Sequence, residues 1–431
     1  MREVEAASFA PPVSRLERLG LYPGLAIGYI GLLLFMVGDG VEAGFLSPYL
    51  LDQLHFSESR IALIFTFYGV TAAIASWLSG ALSDIFGAKR VMWMGLVIWI
   101  AFEIPFLLFG IHLHNFTVIL VSYTLRGFGY PLFAFGFLIW ITHITPQHYL
   151  ATAVGWFWCA RTGGLPTLGS LFASYSVPRY GAYPSLWISV ILVLAGGLIT
   201  LLGVREKRGA GPSTNLNENP LMVVLSSISI AWKKPKVGLG GIVATVTTTS
   251  EFGFLVCLPI FYVHTVGFTL PQWLRILSII FATNVVFNLF WGIVGDRIGW
   301  RKTITFAGSC GCALTTLGLY YVPHIFGANY LFVTLAGMAY GIALAGYVPI
   351  AAIMATLAPE SRGASMSIMN LGSGMSIWLG PAVVGVCLPR FGVEGVIWVF
   401  AGMYLLAAFI SYTLKLPNEV TSSQTIQENV S

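Results

Sequence analysis

"GALSDIFGAKR" occupies residues 80–90 and "GIVGDRIGWRK" residues 292–302. Laid over one another at an offset of 212, Gly80, Asp84, Gly87 and Arg90 fall on Gly292, Asp296, Gly299 and Lys302. Agreement at four positions of this chemistry in two short loops marks an internal repeat. A second match supports it: "TPQHYLATAVG" (145–155) parallels "APESRGASMSIMNLG" (358–372), with Pro146 against Pro359. The chain reads as two copies of one unit in the same order.

Around these loops the chain is too apolar for a water-soluble fold. Hydrophobic residues make up 57% of the 431 and charged residues 9%, against about 25% charged in a soluble domain. Apolar runs long enough to cross about 30 Å of hydrocarbon recur at 24–51, 59–82, 91–111, 116–143, 149–175 and 183–204. Six more follow at 237–263, 272–294, 303–322, 328–356, 363–388 and 394–415. The expected fold is an all-α membrane protein of twelve transmembrane helices in two parallel six-helix repeats. Its parts are an N-terminal tail (1–23), a six-helix bundle (24–204), a linker (205–236), a second bundle (237–415) and a C-terminal tail (416–431). The polar start and long first run lack the short apolar core of a secretory signal, so the first run reads as a retained helix. In the linker, "NPLMVVLSSISIAWKKP" (219–235) has the composition of a short amphipathic helix on a membrane surface.

Of the 22 Lys and Arg residues, sixteen fall on one side of the runs, four on the other and two inside them. The richer side holds both termini. By the positive-inside rule it faces the cytoplasm, in a cell (inner or plasma) membrane. The net charge of +5 is spread over short loops, which argues against a nucleic-acid partner. The five cysteines lack the Cys-x2-Cys spacing of a zinc or redox site and read as buried free thiols. No metal cluster, cofactor loop or nucleophile motif appears, so an enzyme is not expected.

Ionisable residues inside the runs are the candidates for function, because charge in hydrocarbon is expensive. They are Asp39, Glu42, Glu103, Glu251, Arg126 and Arg161. Asp39 and Glu42 lie in "GDGVEAGFLSPY" (38–49), whose Gly40 and Pro48 predict a break or bend. At 1.5 Å per residue, Asp39 sits about 22 Å from the inner end of its run and Arg126 about 15 Å from the outer end of its own. The depths are compatible, so Arg126 is expected to pair with Asp39 or Glu42. An acid beside a guanidinium favours its ionised form, and displacing the arginine favours protonation. The pair is therefore a candidate for proton coupling, with a static packing pair as the alternative. An offset of 212 lays Asp39 on Glu251, while 211 lays Pro48 on Pro259. Glu251 is accordingly either the second-half counterpart or an independent proton site.

The loop pattern Gly-x3-Asp-(Arg/Lys)-x-Gly-(Arg/Lys)-(Arg/Lys) resembles the signature of the major facilitator superfamily. Gly80, Asp84, Gly87, Lys89 and Arg90 carry the first copy, and Gly292, Asp296, Arg297, Gly299, Arg301 and Lys302 the second. Ile85 and Ala88 replace basic residues in the first copy, and Trp300 is the odd member of the second. The resemblance implies that these loops help hold the two halves together on the inner side. "GDGVEAGFLSPY", "LRGFGYPLF" (125–133), "GWFW" (155–158) and "NLGSG" (370–374) are similar to the polyol permease branch. That similarity implies proton symport of a sugar alcohol of the ribitol, arabinitol or xylitol class, by alternating access and as a monomer. Some close relatives are labelled 2-oxoglutarate permeases, which keeps a proton-coupled dicarboxylate symporter open. The fifth run lacks the Gly-Pro pair followed by two glycines of superfamily antiporters, which favours symport. Polyol recognition calls for neutral donors and aromatic walls. Asn284, Asn288, Asn370, Tyr130, Trp156, Trp158 and Tyr347 are the candidates, and Arg126 and Arg161 are the candidate anion clamp of the dicarboxylate alternative.

Overall fold

The computed structural model describes residues 25–145, 150–203, 230–358 and 362–414. The two tails, most of the linker with its amphipathic segment, the matched Pro146 and Pro359 and the side chain of Asp84 lie outside the described residues. Within the described residues the chain is built of helices that form twelve rods.

In the first half, α1 runs over Leu25–Gly40 and resumes at Leu46–Asp52, and α2 covers Glu58–Phe86. Next, α3 joins Ala88–Pro105 to Phe106–Ile111, and α4 joins Phe116–Arg126 to Gly129–Ile144. Finally α5 strings together Leu150–Thr162, Gly163–Leu168 and Gly169–Tyr180, and α6 covers Ala182–Gly203. The second half repeats the plan. There α7 joins Pro235–Ile260 to Phe261–Val266, and α8 covers Leu270–Ile298. Then α9 runs through Trp300–Lys302, Thr303–Cys310 and Gly311–Phe326, and α10 joins Tyr330–Ala345 to Ile350–Leu357. The continuous stretch Arg362–Thr413 is two rods, α11 and α12, because Gly392 leaves helical geometry at φ 64°. The twelve-span expectation thus holds in number and nearly in bounds. On length and composition alone, eight helical stretches qualify as membrane-crossing. The others are interrupted, as α1 is, or diluted by Gly, Ser and Thr, as α5 and α9 are.

The repeat is written into the turns. Among the described residues every positive φ has a partner in the other half at an offset of 211 to 213: His55 with Gly267, Gly87 with Gly299, His114 with Gly327, Gly181 with Gly392. A left-handed residue lets the chain reverse after a helix without clashing, which is why glycine fills most of these places. Rods then restart on side-chain caps. Ser57 Oγ accepts from the Arg60 amide, Asn115 Oδ1 from Val118 and Asn329 Oδ1 from Leu331. Each such cap satisfies an amide that the first helical turn leaves unpaired.

Breaks inside the rods fall where the sequence predicts weakness. In α1 the ladder gives way after Gly40 to short bonds, Val41 N–H to Gly38 and Ala43 N–H to Gly40, before both Phe45 and Leu46 bond the Glu42 carbonyl. In α4 the Gly127 and Phe128 amides fall back on Thr124 and Leu125. Thr71 of α2 donates to the Thr124 carbonyl at 2.5 Å and braces that break.

The halves meet at the end of the molecule opposite the repeated loops. Ser47 Oγ donates to the Val256 carbonyl at 2.6 Å, and Trp273 Nε1 to the Gly44 carbonyl at 3.1 Å. His264 Nε2 lies 3.0 Å from Asp52 Oδ1. Along the same seam Gly69 of α2 faces the backbone of Ile377 and Trp378 of α11, and Gly374 faces Ala73. Toward the loop end α2 and α11 separate around a vestibule whose walls include Ser79, Gly80, Ser367 and Asn370.

Within each half, rods approach through glycine. A methyl group at Gly196 of α6 would meet the backbone of Gly31 and Phe35 of α1. Gly196→Val should therefore lower stability by about 1–3 kcal/mol through overpacking, read as an earlier thermal transition in detergent. Gly402→Val, at a position with nothing within 4 Å, should leave that transition unchanged.

Candidate functional site

Both helix breaks of the first half deliver a charge to the same point. Glu42 sits in the interruption of α1, and Arg126 is the last residue before the break in α4. Arg126 grips Glu42 with both ends of its fork: Nη1 donates to Oε2 at 3.0 Å, and Nη2 donates to Oε1. Nη1 also donates to Oε2 of Glu103 on α3 at 2.5 Å. Arg126 is 1% exposed and Glu103 0%. The Tyr123 hydroxyl donates to Glu42 Oε1 at 2.9 Å. Aromatic rings of Tyr123, Trp99, Tyr68 and Phe106 lie 4.4 to 5.9 Å from the guanidinium carbon. They supply cation–π attraction and keep water away.

Asp39 has a different partner. Its Oδ1 accepts from Trp99 Nε1 at 2.6 Å. The open choice between Asp39 and Glu42 thus falls to Glu42 in this structure, and Asp39 stands beside the pair on an indole. Glu103, to which the sequence assigned no role, is the second carboxylate on Arg126. Depth alone carried that signal: at 1.5 Å per residue Glu103 lies about 18 Å into its run, level with Asp39.

The cluster backs onto a central chamber. Asp39, Glu42, Tyr68, Tyr123 and Tyr130 form one wall, Arg161 and Pro166 of α5 another, and Glu251, Leu255, Ile377 and Pro381 the opposing half. About 830 Å³ of space free of atoms lies between these walls, part of it open to the outside. Tyr130, Arg161, Glu251, Phe252 and Ile377 also border the vestibule, so they stand at the junction of the two spaces. The Arg161 guanidinium lies 5.4 Å from the Trp158 ring and 6.0 Å from Tyr130, and Nη2 reaches the Tyr130 hydroxyl at 3.5 Å. Its Nε has no hydrogen-bond partner. Arg161 lines both spaces together with Glu251 of the other half.

Several candidates from the sequence lie elsewhere. Asn284 Nδ2 reaches the Gly341 carbonyl at 3.4 Å, and Trp291 Nε1 bonds the Ile342 carbonyl at 2.9 Å. This face of α8, which Asn288 shares by spacing, turns to α10 and not to the chamber. Tyr347 is buried against Tyr404, 6.2 Å between ring centres. Trp156 is 39% exposed and is not among the residues lining either space. Trp158 and Asn370 do line the vestibule. Spacing fixes which residues share a face of a helix, but not which way that face turns. The cysteines also depart from expectation: all five are free, but only Cys257 and Cys312 are buried, Cys310 and Cys387 are partly buried and Cys159 is exposed.

In the second half the place of the ion cluster is taken by hydroxyls. Ser250 Oγ bonds the hydroxyls of Tyr340, at 3.0 Å, and of Tyr404, and the two tyrosines bond each other at 3.1 Å. The second repeated loop is tied to its own half. Trp300 Nε1 donates to Asp296 Oδ1 at 2.7 Å, and Arg301 Nη1 to the Tyr412 carbonyl at 2.6 Å. Gly87 and Gly299 end α2 and α8, Lys89 and Arg90 open α3, and Arg297 and Lys302 flank the second turn. Gly80 borders the vestibule, and Gly292 lies on α8 opposite Val348.

Comparison with known proteins agrees with this geometry. A sequence family described as Major Facilitator Superfamily matches residues 28–343 and 240–430. An "Alpha-ketoglutarate permease" of Bacillus subtilis (strain 168) is 39% identical over 419 residues, 96% of this chain and 95% of that protein. A "D-arabinitol transporter" of Klebsiella pneumoniae is 35% identical over 399 residues, 92% of this chain and 94% of that protein. Among solved structures, that of a D-xylose-proton symporter superposes with a TM-score of 0.70 at 15% identity, covering 90% of this chain and 97% of that one. This last likeness concerns the fold.

Removing Arg126 would strand two carboxylates in a dry interior. Arg126→Met should cost about 3–5 kcal/mol of stability, the usual penalty for breaking a buried pair from one side. The triple variant Arg126→Met, Glu42→Gln, Glu103→Gln should regain most of it, as thermal unfolding in detergent will report. Equal loss in both variants would mean that packing, not charge, holds these helices.

Proposed function

The chain belongs to the Major Facilitator Superfamily, and from this premise we propose that it is a secondary transporter that imports a small sugar alcohol together with protons. The observation that carries the reading is an imbalance of buried charge. Asp39, Glu42, Glu251 and Arg161 line the chamber, and Glu42 shares the Arg126 guanidinium with Glu103. In the chamber and the cluster that backs onto it, four carboxylates thus stand against two cations. An uncompensated charge is costly in a low-dielectric interior, so such a chamber attracts protons and disfavours an anionic guest. A neutral polyol suits it, with hydroxyl and carboxylate groups for hydrogen bonds and aromatic rings for its carbon face.

In this reading the loop end faces the cytoplasm, and the structure is the inward-facing state. Asp39 or Glu42 takes the proton from outside, and polyol binding near Tyr130, Trp158, Arg161 and Asn370 favours passage. Protonation weakens the hold of the acid on Arg126, and the freed energy biases the rods toward the other state. Glu251 is the companion acid on the second half. The repeated loops Gly80–Arg90 and Gly292–Lys302 would approach one another in the outward-facing state and so act as the inner gate. The lipid bilayer, the solute and protons are the only partners required, and a monomer suffices.

A second reading has its own support. Arg161 is a cation on the chamber wall, and a 39% identical relative is named for alpha-ketoglutarate. A dicarboxylate clamped by Arg161 and carried with protons is therefore the alternative.

Uptake into proteoliposomes separates the two. Radiolabelled ribitol, D-arabinitol, xylitol and 2-oxoglutarate are offered with and without an inwardly directed proton gradient. Gradient-driven accumulation of a polyol is the expected result, and accumulation of 2-oxoglutarate alone would sink the leading reading. Asp39→Asn should abolish accumulation while leaving counterflow exchange at a substantial fraction of the wild-type rate. Undiminished accumulation would remove Asp39 from the coupling.

A further inference from the structure

Glu103 is outside the chamber. It is fully buried on α3, behind Arg126 as seen from the cavity, and it does not line either space. Its Oε2 accepts from Arg126 Nη1 at 2.5 Å, the same nitrogen that donates to Glu42 Oε2 at 3.0 Å. Its Oε1 has no hydrogen-bond partner. A carboxylate so placed cannot meet the solute, and a plain packing role is poorly served by leaving one buried oxygen unsatisfied.

We propose that Glu103 is a positioning residue that holds Arg126 neutralised from behind, so that the cavity-facing acid can be protonated without leaving the guanidinium unpaired. The inference rests on the proton-coupled reading above. Consider the cluster without it. Arg126 would then have Glu42 as its one ionic partner, with Asp39 nearby. Protonating Glu42 would then leave a bare guanidinium in a dry site, which is costly. With Glu103 in place the arginine keeps an anionic partner throughout, and its fork is shared, not surrendered, when Glu42 lets go. The groups around Glu103 are consistent with this division of labour. Arg126 of α4 bonds it, Glu42 and Asp39 of α1 are the other acids of the cluster, and Tyr123 of α4, Tyr68 of α2 and Trp99 of α3 ring the guanidinium. Arg126 alone among them is a cation, and the Tyr123 hydroxyl and the Trp99 indole donate to Glu42 and Asp39. Glu103 therefore competes with the cavity acids for one charge, which is what eases their protonation.

The test is the pH profile of solute uptake. Wild type, Glu103→Gln and Glu103→Asp are reconstituted as full chains and assayed with ribitol, or with 2-oxoglutarate if the wild type accumulates only that. Initial rates are followed from about pH 5 to pH 8.5. Removing the second anion leaves Arg126 wholly to the cavity acid, so Glu103→Gln should move the midpoint of the profile about one pH unit or more toward acid. Rates at neutral pH should fall roughly tenfold with it, and counterflow exchange at acidic pH should persist. Glu103→Asp keeps the charge and shortens the reach, so its midpoint should lie between the two. A monodisperse Glu103→Gln protein with the wild-type midpoint overturns the inference, since a packing role or a permanently protonated Glu103 predicts no shift. If the amide variant does not assemble, the aspartate variant decides, and a wild-type midpoint there overturns the inference equally. A wild type indifferent to pH overturns the functional reading itself, and this one with it. A proton-driven wild type with unshifted variants overturns only the role of Glu103.

Discussion

One guanidinium shared by two carboxylates in a dry interior is the constraint around which the first half is arranged. Arg126 cannot shed its charge, and no water reaches it to replace a lost partner. Its surroundings must therefore be built in. Glu42 is brought to it by an interruption in α1, Glu103 by the straight part of α3, and a set of aromatic rings closes the remaining sides. Helix breaks in hydrocarbon are tolerated only where other protein groups re-satisfy the backbone. Here the Thr71 hydroxyl does so for α4, and close packing of Gly40 on α5 shields the break in α1. The local weakness of two helices and the placement of two charges are one feature.

The second half uses the same six-rod plan without the ion cluster. Its turns match those of the first half, left-handed residue for left-handed residue. At the heart of that bundle, however, α7, α10 and α12 meet through the hydroxyls of Ser250, Tyr340 and Tyr404. Neutral groups that donate and accept can satisfy one another at little electrostatic cost. The two copies therefore share a scaffold and divide the chemistry. The first carries an ion cluster with one acid to spare, and the second contributes a lone acid, Glu251, opposite Arg161. An exchange of charge between halves needs that asymmetry, because two identical ion clusters would have no reason to prefer one arrangement over the other.

The fold was legible because it rests on quantities a sequence displays: run length and the loop repeat. Span limits such as 59–82 or 272–294 fall within α2 and α8 because hydropathy and helix length respond to the same bilayer. The break in α1 was legible too, from Gly40 and Pro48. The site was legible in part. Depth placed Arg126 with the acids of α1, and the same arithmetic applied to Glu103 would have added it. What depth cannot give is rotation about a helix axis. Asn284 sits at a plausible level in the membrane but turns to α10, and Tyr347 packs on Tyr404. Trp99 as the donor to Asp39 was beyond reach for the same reason: an indole among many apolar residues carries no mark of which neighbour it will meet.

The seal between the halves is light, and that follows from the demands on it. The contacts at the end away from the loops include two hydrogen bonds to backbone carbonyls and a half-exposed His264–Asp52 pair. A hydrogen bond contributes about 0.5–1.5 kcal/mol net, and an exposed ion pair about 0–1 kcal/mol. These polar terms together stand below the roughly 5.5 kcal/mol needed to swing a two-state equilibrium from one side to the other. A buried ion cluster is an energy store of matching scale, since breaking a buried pair from one side costs about 3–5 kcal/mol. The two belong together: strong terms are kept inside one half, where they never have to break as the halves part, and weak terms span the seam. In the proposed mechanism such a molecule would change state when a proton alters the strong term by part of its value.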